Sequence, residues 1–327
     1  MWFMRQAGRY QPEYRALRRR HGILEICRTP ELAAEVTVLP VRQLGVDAAI
    51  LFSDIMVPVA SMGVDVRIEE GTGPVVGQPF RTSADLARLH ALEPERDVPF
   101  VLEAIRMVVR ELDVPLIGFA GAPFTLASYL VEGGPSRSFT RTKALMLEEP
   151  GTWGRLMECL SEAVLAYLRA QVEAGARAVQ VFDSWVGALA PEDYEERVLP
   201  FVRPIFEGLA GLGVPRIHFG VGTGELLELM RDAGADVVGV DWRVPLDRAW
   251  ERLGTEVAVQ GNLDPAVLLA PWEVVERRAR AVLDRAGGRP GHVFNLGHGV
   301  LPETEPGALR RLTDLVHEVS AREAVIP

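Results

Sequence analysis

Two arginines four residues apart stand near the start of the chain, in Met4-Arg5-Gln6-Ala7-Gly8-Arg9-Tyr10. The apolar run Trp2-Phe3-Met4 ends in Arg5, the chain turns through Ala7-Gly8, and a second guanidinium follows at Arg9. Guanidinium is planar, permanently charged and grips carboxylate or phosphate oxygens two at a time. At the mouth of a pocket the pair would hold an anion; the spacing alone fits a basic, solvated face equally well. Asp54 ends Phe52-Ser53-Asp54 behind another apolar run, a place for a carboxylate that is a helix cap, an ion-pair partner or a catalytic anion. His298 lies between Gly297 and Gly299, which let the backbone turn tightly and approach a ligand. Its intrinsic pKa puts general acid work within reach, the alternative being a loop histidine that caps backbone groups. His21, His90 and His317 lie in polar helical contexts and read as surface residues.

The elements that must position these groups alternate. Short apolar, β-branched runs predict eight strands, at 2–4, 48–52, 115–119, 178–182, 216–219, 237–240, 257–260 and 292–295. Helical periodicity falls between them, over 30–44, 101–112, 162–174, 192–212, 224–233, 246–253, 271–286 and 305–319. Strand and helix alternating eight times is the pattern of an α/β fold, a (β/α)8 TIM-type barrel with its cleft at the C-terminal ends of the strands. The strand exits read Arg5 to Arg9, Ser53-Asp54, Gly121-Ala122-Pro123, Asp183-Ser184, Gly220 to Gly222, Asp241-Trp242, Gly261-Asn262 and Gly297-His298-Gly299. About half of these are expected to cap helices or set turns. Residues 64–78, rich in Gly and Val, read as a loop or hairpin, and nothing divides the chain, so one domain is expected over residues 1–327.

Composition narrows the functions. The formal charge of −10 argues against nucleic acid and would repel a polyanion, so any polyanion site must carry its own positive charge. Arg5 and Arg9 supply it; Arg15, Arg18, Arg19 and Arg20 add basic density on what reads as a solvated helix face. Of 35 basic residues only Lys143 is a lysine, and it lies mid-helix, so Schiff-base and pyridoxal phosphate chemistry lack a good candidate. Cys27 and Cys159 lie far apart without ligand spacing and read as buried thiols of a reducing compartment. No apolar stretch approaches the roughly 20 residues of a membrane span and no signal peptide precedes the first motif, which leads to the expectation of a cytoplasmic protein.

The arginine motif, Phe52-Ser53-Asp54, Gly121-Ala122-Pro123-Phe124-Thr125 and Asn295-Leu296-Gly297-His298-Gly299, in that order, closely resemble the uroporphyrinogen decarboxylase family. The resemblance runs from residue 2 to roughly residue 320 and is most specific at the arginine motif. It implies removal of four acetate carboxyl groups from uroporphyrinogen to give coproporphyrinogen in haem synthesis. Neither cofactor nor metal is expected, because a protonated pyrrole ring takes up the electrons left behind. Asp54 is implied as the anion that accepts pyrrole N–H donors and stabilises the cationic ring, with nearby arginines holding its pKa down. Arg5 and Arg9 line the pocket in that family, with Gln6, Ala7 and Gly8 in the same substrate-binding turn and Arg5 also placed among the catalytic groups. Tyr129, which periodicity alone would put in the core, matches the family tyrosine beside the aspartate, and Ser184 of Phe182-Asp183-Ser184-Trp185 occupies its carboxylate-contacting position. His298 completes the set, and a homodimer with facing clefts is the implied assembly.

Two alternatives fit parts of the sequence. Zinc-dependent methyltransferases of the same superfamily carry His-x-Cys after the fifth strand; here the position reads His218-Phe219-Gly220, and the last strand ends in a histidine. A non-catalytic barrel that binds tetrapyrroles would not need Asp54 and the arginine pair. Family members also carry a short segment with a helix before the arginine motif, whereas the first strand here is expected at or beside the initiator methionine.

Overall fold

The computed structural model describes residues 1–69 and 71–323. Seven parallel strands form one sheet in the order β1-β4-β5-β6-β7-β8-β9. They are β1 (Ala49–Ile50), β4 (Leu116–Gly121), β5 (Ala178–Asp183), β6 (Arg216–Gly220), β7 (Val237–Gly239), β8 (Ala258–Leu263) and β9 (His292–Leu296). Residues 64–78 supply the remaining pair, β2 (Val66–Glu69) and β3 (Gly73–Val76), a separate antiparallel hairpin. Each sheet strand is buried along most of its length, β4 throughout, as expected where helices cover the outer face.

The sheet curls until opposite strands meet. Gln260 of β8 donates from Nε2 to Gln180 Oε1 of β5 at 3.0 Å, although β6 and β7 separate the two strands. Gln260 Oε1 in turn accepts the Trp2 indole N–H at 3.0 Å. These bonds cross the interior of a TIM-type barrel and satisfy the Gln260 amide at both ends, while Gln180 Nε2 has no partner among the described residues.

Residues 2–4 occupy the eighth position but are not a strand, which corrects the sequence expectation. The Trp2 N–H reaches the Phe294 carbonyl of β9 at 3.4 Å, and on the other side the Asp47 N–H reaches the Met1 carbonyl at 2.9 Å. The next donors go to side chains instead of a ladder: Phe3 N–H to Gln6 Oε1 at 3.2 Å and Met4 N–H to Asn295 Oδ1 at 3.0 Å. A turn closed by Gln6 N–H on the Phe3 carbonyl then bends the chain away, so no regular pairing extends.

Helices Pro30–Leu44 and Leu246–Leu253 match their expected spans. The span 162–174 is the end of a longer helix, Pro150–Ala174. The expected helix over 192–212 is two helices, Pro191–Arg197 and Leu199–Leu209, with the break at Val198, two residues before Pro200, which sits in the first turn of the second helix. Residues 224–233 likewise divide into a 3-10 turn and the short helix Leu227–Asp232.

Candidate active site

Asp54 is set by the end of β1. The ladder continues to the Leu51 N–H, after which the Phe52 N–H turns to Thr37 Oγ1 of helix Pro30–Leu44 at 2.8 Å. Asp54 then folds back on its own backbone, Oδ1 accepting the Met56 N–H at 2.9 Å and its carbonyl accepting the Val57 N–H at 3.0 Å. Oδ2 is left without a hydrogen-bond partner among the described residues. The carboxyl keeps some solvent-accessible surface yet has protein on every side, the position of a group at the bottom of a cleft. Burial raises its pKa, and that effect exceeds the opposing Met56 N–H and the Arg5 charge. The expected lowering by nearby arginines is therefore corrected: only Arg5 acts on Asp54, and desolvation outweighs it.

Arg5 adopts a left-handed backbone conformation, φ 59°, uncommon for a side chain with a Cβ. The turn is braced around it. The Gln6 amide is fully buried and bonded at both ends, Oε1 to Phe3 and Nε2 to the Ala48 carbonyl at 3.1 Å. The Tyr10 hydroxyl donates to the Gln6 carbonyl at 2.6 Å, and the Gly8 N–H donates to Gln11 Oε1 at 3.1 Å. Ala7 packs against the small apolar cluster of Tyr14, Leu17, Ile26 and Val36. Gln6, Ala7 and Gly8 thus hold the turn, while the guanidiniums of Arg5 and Arg9 remain free of ion pairs among the described residues. Arg5 is solvent-accessible but largely surrounded by protein, and burial lowers its pKa; Tyr129, Arg9 and Asp54 all lie within its electrostatic reach.

Tyr129 comes from helix Pro123–Glu132, which leaves β4 and ends at Gly133 with φ 88°. Burial and Asp54 raise its pKa against the opposing Arg5, so the phenol keeps its proton. Its ring lies 4.0 Å from that of Trp185, tilted by 33°. The wall is tied from below: Thr125 Oγ1 donates to Asp183 Oδ1 at 2.9 Å and accepts the Trp185 N–H at 3.3 Å. Ser184, between Asp183 and Trp185, is half-buried at the β5 exit.

His298 follows β9. Its Nδ1 accepts the Gly299 N–H at 2.7 Å, which places the proton of the neutral ring on Nε2. Burial, then Arg5 and Arg243, push its pKa down to about 4, with Asp241 opposing. The general acid role that the sequence allowed is not favoured on this point: burial and the two arginines hold the imidazole neutral at neutral pH, which leaves an N–H on Nε2. Its neighbour is Trp242, with ring centroids 6.2 Å apart and nearly perpendicular, and Arg243 covers the Trp242 face at 4.0 Å. Arg243 also donates to buried Asp241 at 2.7 Å.

The structure therefore brings Arg5, Asp54 and Tyr129 into mutual electrostatic reach, with Arg9 and His298 each in reach of Arg5. Sequence reasoning missed Trp185, Arg243 and the bracing pair Asn295–Met4; the charged step Asp241-Trp242-Arg243 after β7 was the available signal for Arg243. Cys27 is buried, hydrogen-bonded with the Asp54 backbone, and pushed up to about 12 by burial; Cys159 is half-buried on helix Pro150–Ala174. Among the described residues no three His, Cys, Asp or Glu side chains converge as a metal-binding group.

The family profile described as uroporphyrinogen decarboxylase matches residues 1–319. The chain belongs to the uroporphyrinogen decarboxylase family. Curated proteins named uroporphyrinogen decarboxylase from Streptomyces coelicolor and Salinispora tropica are 61% and 60% identical over 323 residues. Each alignment covers 98% of this chain, and 91% and 87% of those proteins respectively. One from Roseiflexus sp. is 56% identical over 328 residues, covering 98% of this chain and 94% of that protein. Among solved structures, a methyltransferase from Methanosarcina mazei superposes with a TM-score of 0.78 at 22% identity, covering 90% of this chain and 87% of that one. A B12-independent methionine synthase from Shewanella sp. gives 0.59 at 13%, covering 92% and 91%. At these identities the likeness is one of fold. Among the described residues no helix of this family member is long and apolar enough to cross a membrane.

Proposed function

We propose that this enzyme is a carboxy-lyase that removes four acetate carboxyl groups from uroporphyrinogen III as carbon dioxide, giving coproporphyrinogen III without a cofactor. Residues 1–327 act as one catalytic domain. The observation that carries the reading is a carboxylate with a free oxygen, Asp54, in electrostatic reach of a cation, Arg5, and a protonated phenol, Tyr129, with a neutral imidazole, His298, in reach of the same Arg5.

Each round balances simply. A proton adds to the pyrrole α carbon next to the ring carbon that bears the acetate arm, and the pyrrole becomes cationic. The bond from the methylene to the carboxylate breaks, its electron pair forms an exocyclic double bond into the ring, and carbon dioxide leaves. The exocyclic carbon takes a proton to become methyl, and the α carbon releases the proton first added. One proton is consumed and one carbon dioxide formed.

Asp54 Oδ2 accepts pyrrole N–H donors and balances the cationic ring in a site where charge is poorly screened. Its pKa, raised in the free cleft, falls when those donors and the ring cation arrive. Arg5 and Arg9 hold substrate carboxylates, each charge-assisted bond being worth roughly 1.5–3 kcal/mol. Gln6, Ala7 and Gly8 shape the binding turn. Tyr129 and the Nε2–H of His298 donate to the substrate, and the Ser184 hydroxyl meets a carboxylate. The enzyme works as a homodimer in the cytoplasm, where its two free cysteines stay reduced.

The test is anaerobic incubation of the purified protein with uroporphyrinogen III, followed by oxidation and separation of products by carboxylate number. Stepwise appearance of seven-, six-, five- and four-carboxylate species is expected. Persistence of the eight-carboxylate compound would overturn the proposal.

A further inference from the structure

Residues 5–28 hold seven arginines against two glutamates, a net charge of +5 within a chain of −10, so the remainder carries −15. Elsewhere among the described residues about half of the arginines meet carboxylates, as in Arg42–Glu111 at 2.7 Å, Arg252–Glu228 at 2.7 Å and Arg310–Asp314 at 3.0 Å. In residues 5–28 no arginine pairs with a carboxylate among the described residues. Arg15 donates to the Arg9 and Tyr10 carbonyls and Arg18 to the His21 carbonyl, while the two glutamates are engaged by Gln43 and His21. The guanidiniums of Arg19, Arg20 and Arg28 have no hydrogen-bond partner among the described residues, and all three are exposed.

The patch adjoins the cleft. Helix Pro12–Arg18 turns Tyr14 and Leu17 inward, and the Tyr14 ring meets Phe52, two residues before Asp54, edge-on at 5.5 Å. Arg18 and Arg28 lie within electrostatic reach of Cys27, whose neighbour is the Asp54 backbone. Unpaired positive charge therefore covers the outer side of the element that carries Arg5, in a molecule whose overall charge repels anions.

We infer that Arg19, Arg20 and Arg28 form an electrostatic steering surface that collects a polycarboxylate substrate and directs it to the Arg5–Asp54 cleft. The inference rests on the proposed activity for its substrate, an eight-carboxylate tetrapyrrole. Local fields of this kind raise association rates while leaving the bound-state chemistry alone, and salt screens them over a Debye length of about 8 Å near physiological ionic strength.

The experiment compares the wild type with R19Q/R20Q/R28Q and R19K/R20K/R28K. At low ionic strength the glutamine variant is expected to lose roughly tenfold in kcat/KM with kcat unchanged. The lysine variant, with its charge kept and its planar fork lost, is expected to match the wild type. The deficit closes above about 0.5 M salt. It is also smaller for the five-carboxylate intermediate than for the eight-carboxylate substrate. Stopped-flow association of uroporphyrin, the stable eight-carboxylate porphyrin, reads the same steering without turnover, so a wild type that binds but does not decarboxylate would overturn the activity and leave the steering to be judged on association rates. Equal rates for glutamine variant and wild type at every salt concentration would overturn the inference. So would a loss that persists at high salt, or one that lysine fails to rescue, since either marks direct contact instead of a field.

Discussion

Gly299 leaves the space that Arg5 occupies: a Cβ on Gly299 would stand 2.3 Å from Arg5 Cδ and 2.6 Å from its Cγ. Two motifs almost 300 residues apart thus fit together as one piece. The Val300 N–H bonds the Met4 carbonyl at 2.9 Å, and Asn295 Oδ1 takes the Met4 N–H, so the backbone is tied on both sides of the contact. Gly299→Ala must displace the Arg5 side chain, whose left-handed backbone gives it little room to retreat. A displacement near 1 Å from a productive pose costs about 100-fold, so kcat/KM is expected to fall between about 10- and 100-fold. Arg5→Lys should lose a similar amount through the missing fork, worth about 1.5–3 kcal/mol. Steady-state kinetics on both variants check this, and near-normal values would detach Arg5 from the site.

The His298 ring is expected to remain neutral well below the ordinary histidine range, with its proton on Nε2. Nitrogen-15 chemical shifts of the imidazole, followed from pH 8 to pH 5, read both properties; a titration centred near the ordinary value would contradict the burial and the two arginine charges that lower it. His298→Gln, which can still donate, should retain more activity than His298→Ala.

Asp54 should be a destabilising residue that function retains. Its folded pKa lies above the unfolded value, so the folded state binds more protons between the two, and stability falls as pH rises through that window. Asp54→Asn removes the penalty. Thermal unfolding should give a higher Tm for Asp54→Asn at pH 7.5 and equal values once the pH lies below the unfolded carboxyl pKa. A lower Tm for the variant at pH 7.5 would show that the ionised carboxylate contributes net stability.

The link Asp183–Thr125–Trp185 supports the aromatic wall from a fully buried carboxylate, and Asp183 Oδ2 already lacks a partner near His218 and Tyr194. Thr125→Val removes the bond to Oδ1 and strands the charge further. A loss of about 2–3 kcal/mol in urea unfolding is expected, with a lower kcat/KM as Tyr129 and Trp185 loosen. Unchanged stability would mean that another donor satisfies Asp183.

The barrel was legible because the apolar runs and helical periods each obey their own repeat over most of the chain. Residues 2–4 were misread as a strand because β-like composition says nothing about Gln6 and Asn295, distant or turned-back side chains that take the backbone donors. The positions of Asp54 and His298 at strand exits could be read from the sequence. Their ionisation could not: Asp54 depends on burial exceeding one arginine, and His298 depends on Arg5 and Arg243, which arrive from opposite ends of the chain. The buried group of Asp183, His218 and Tyr194 was equally hidden, since three residues on separate elements carry no shared spacing.

The most direct test is turnover by Asp54→Ala beside the wild type, under anaerobic conditions, with uroporphyrinogen III and no added cofactor. The account predicts stepwise decarboxylation by the wild type, and no products from an Asp54→Ala protein that keeps its fold by circular dichroism and still binds uroporphyrin. Turnover by Asp54→Ala near the wild-type rate would contradict it.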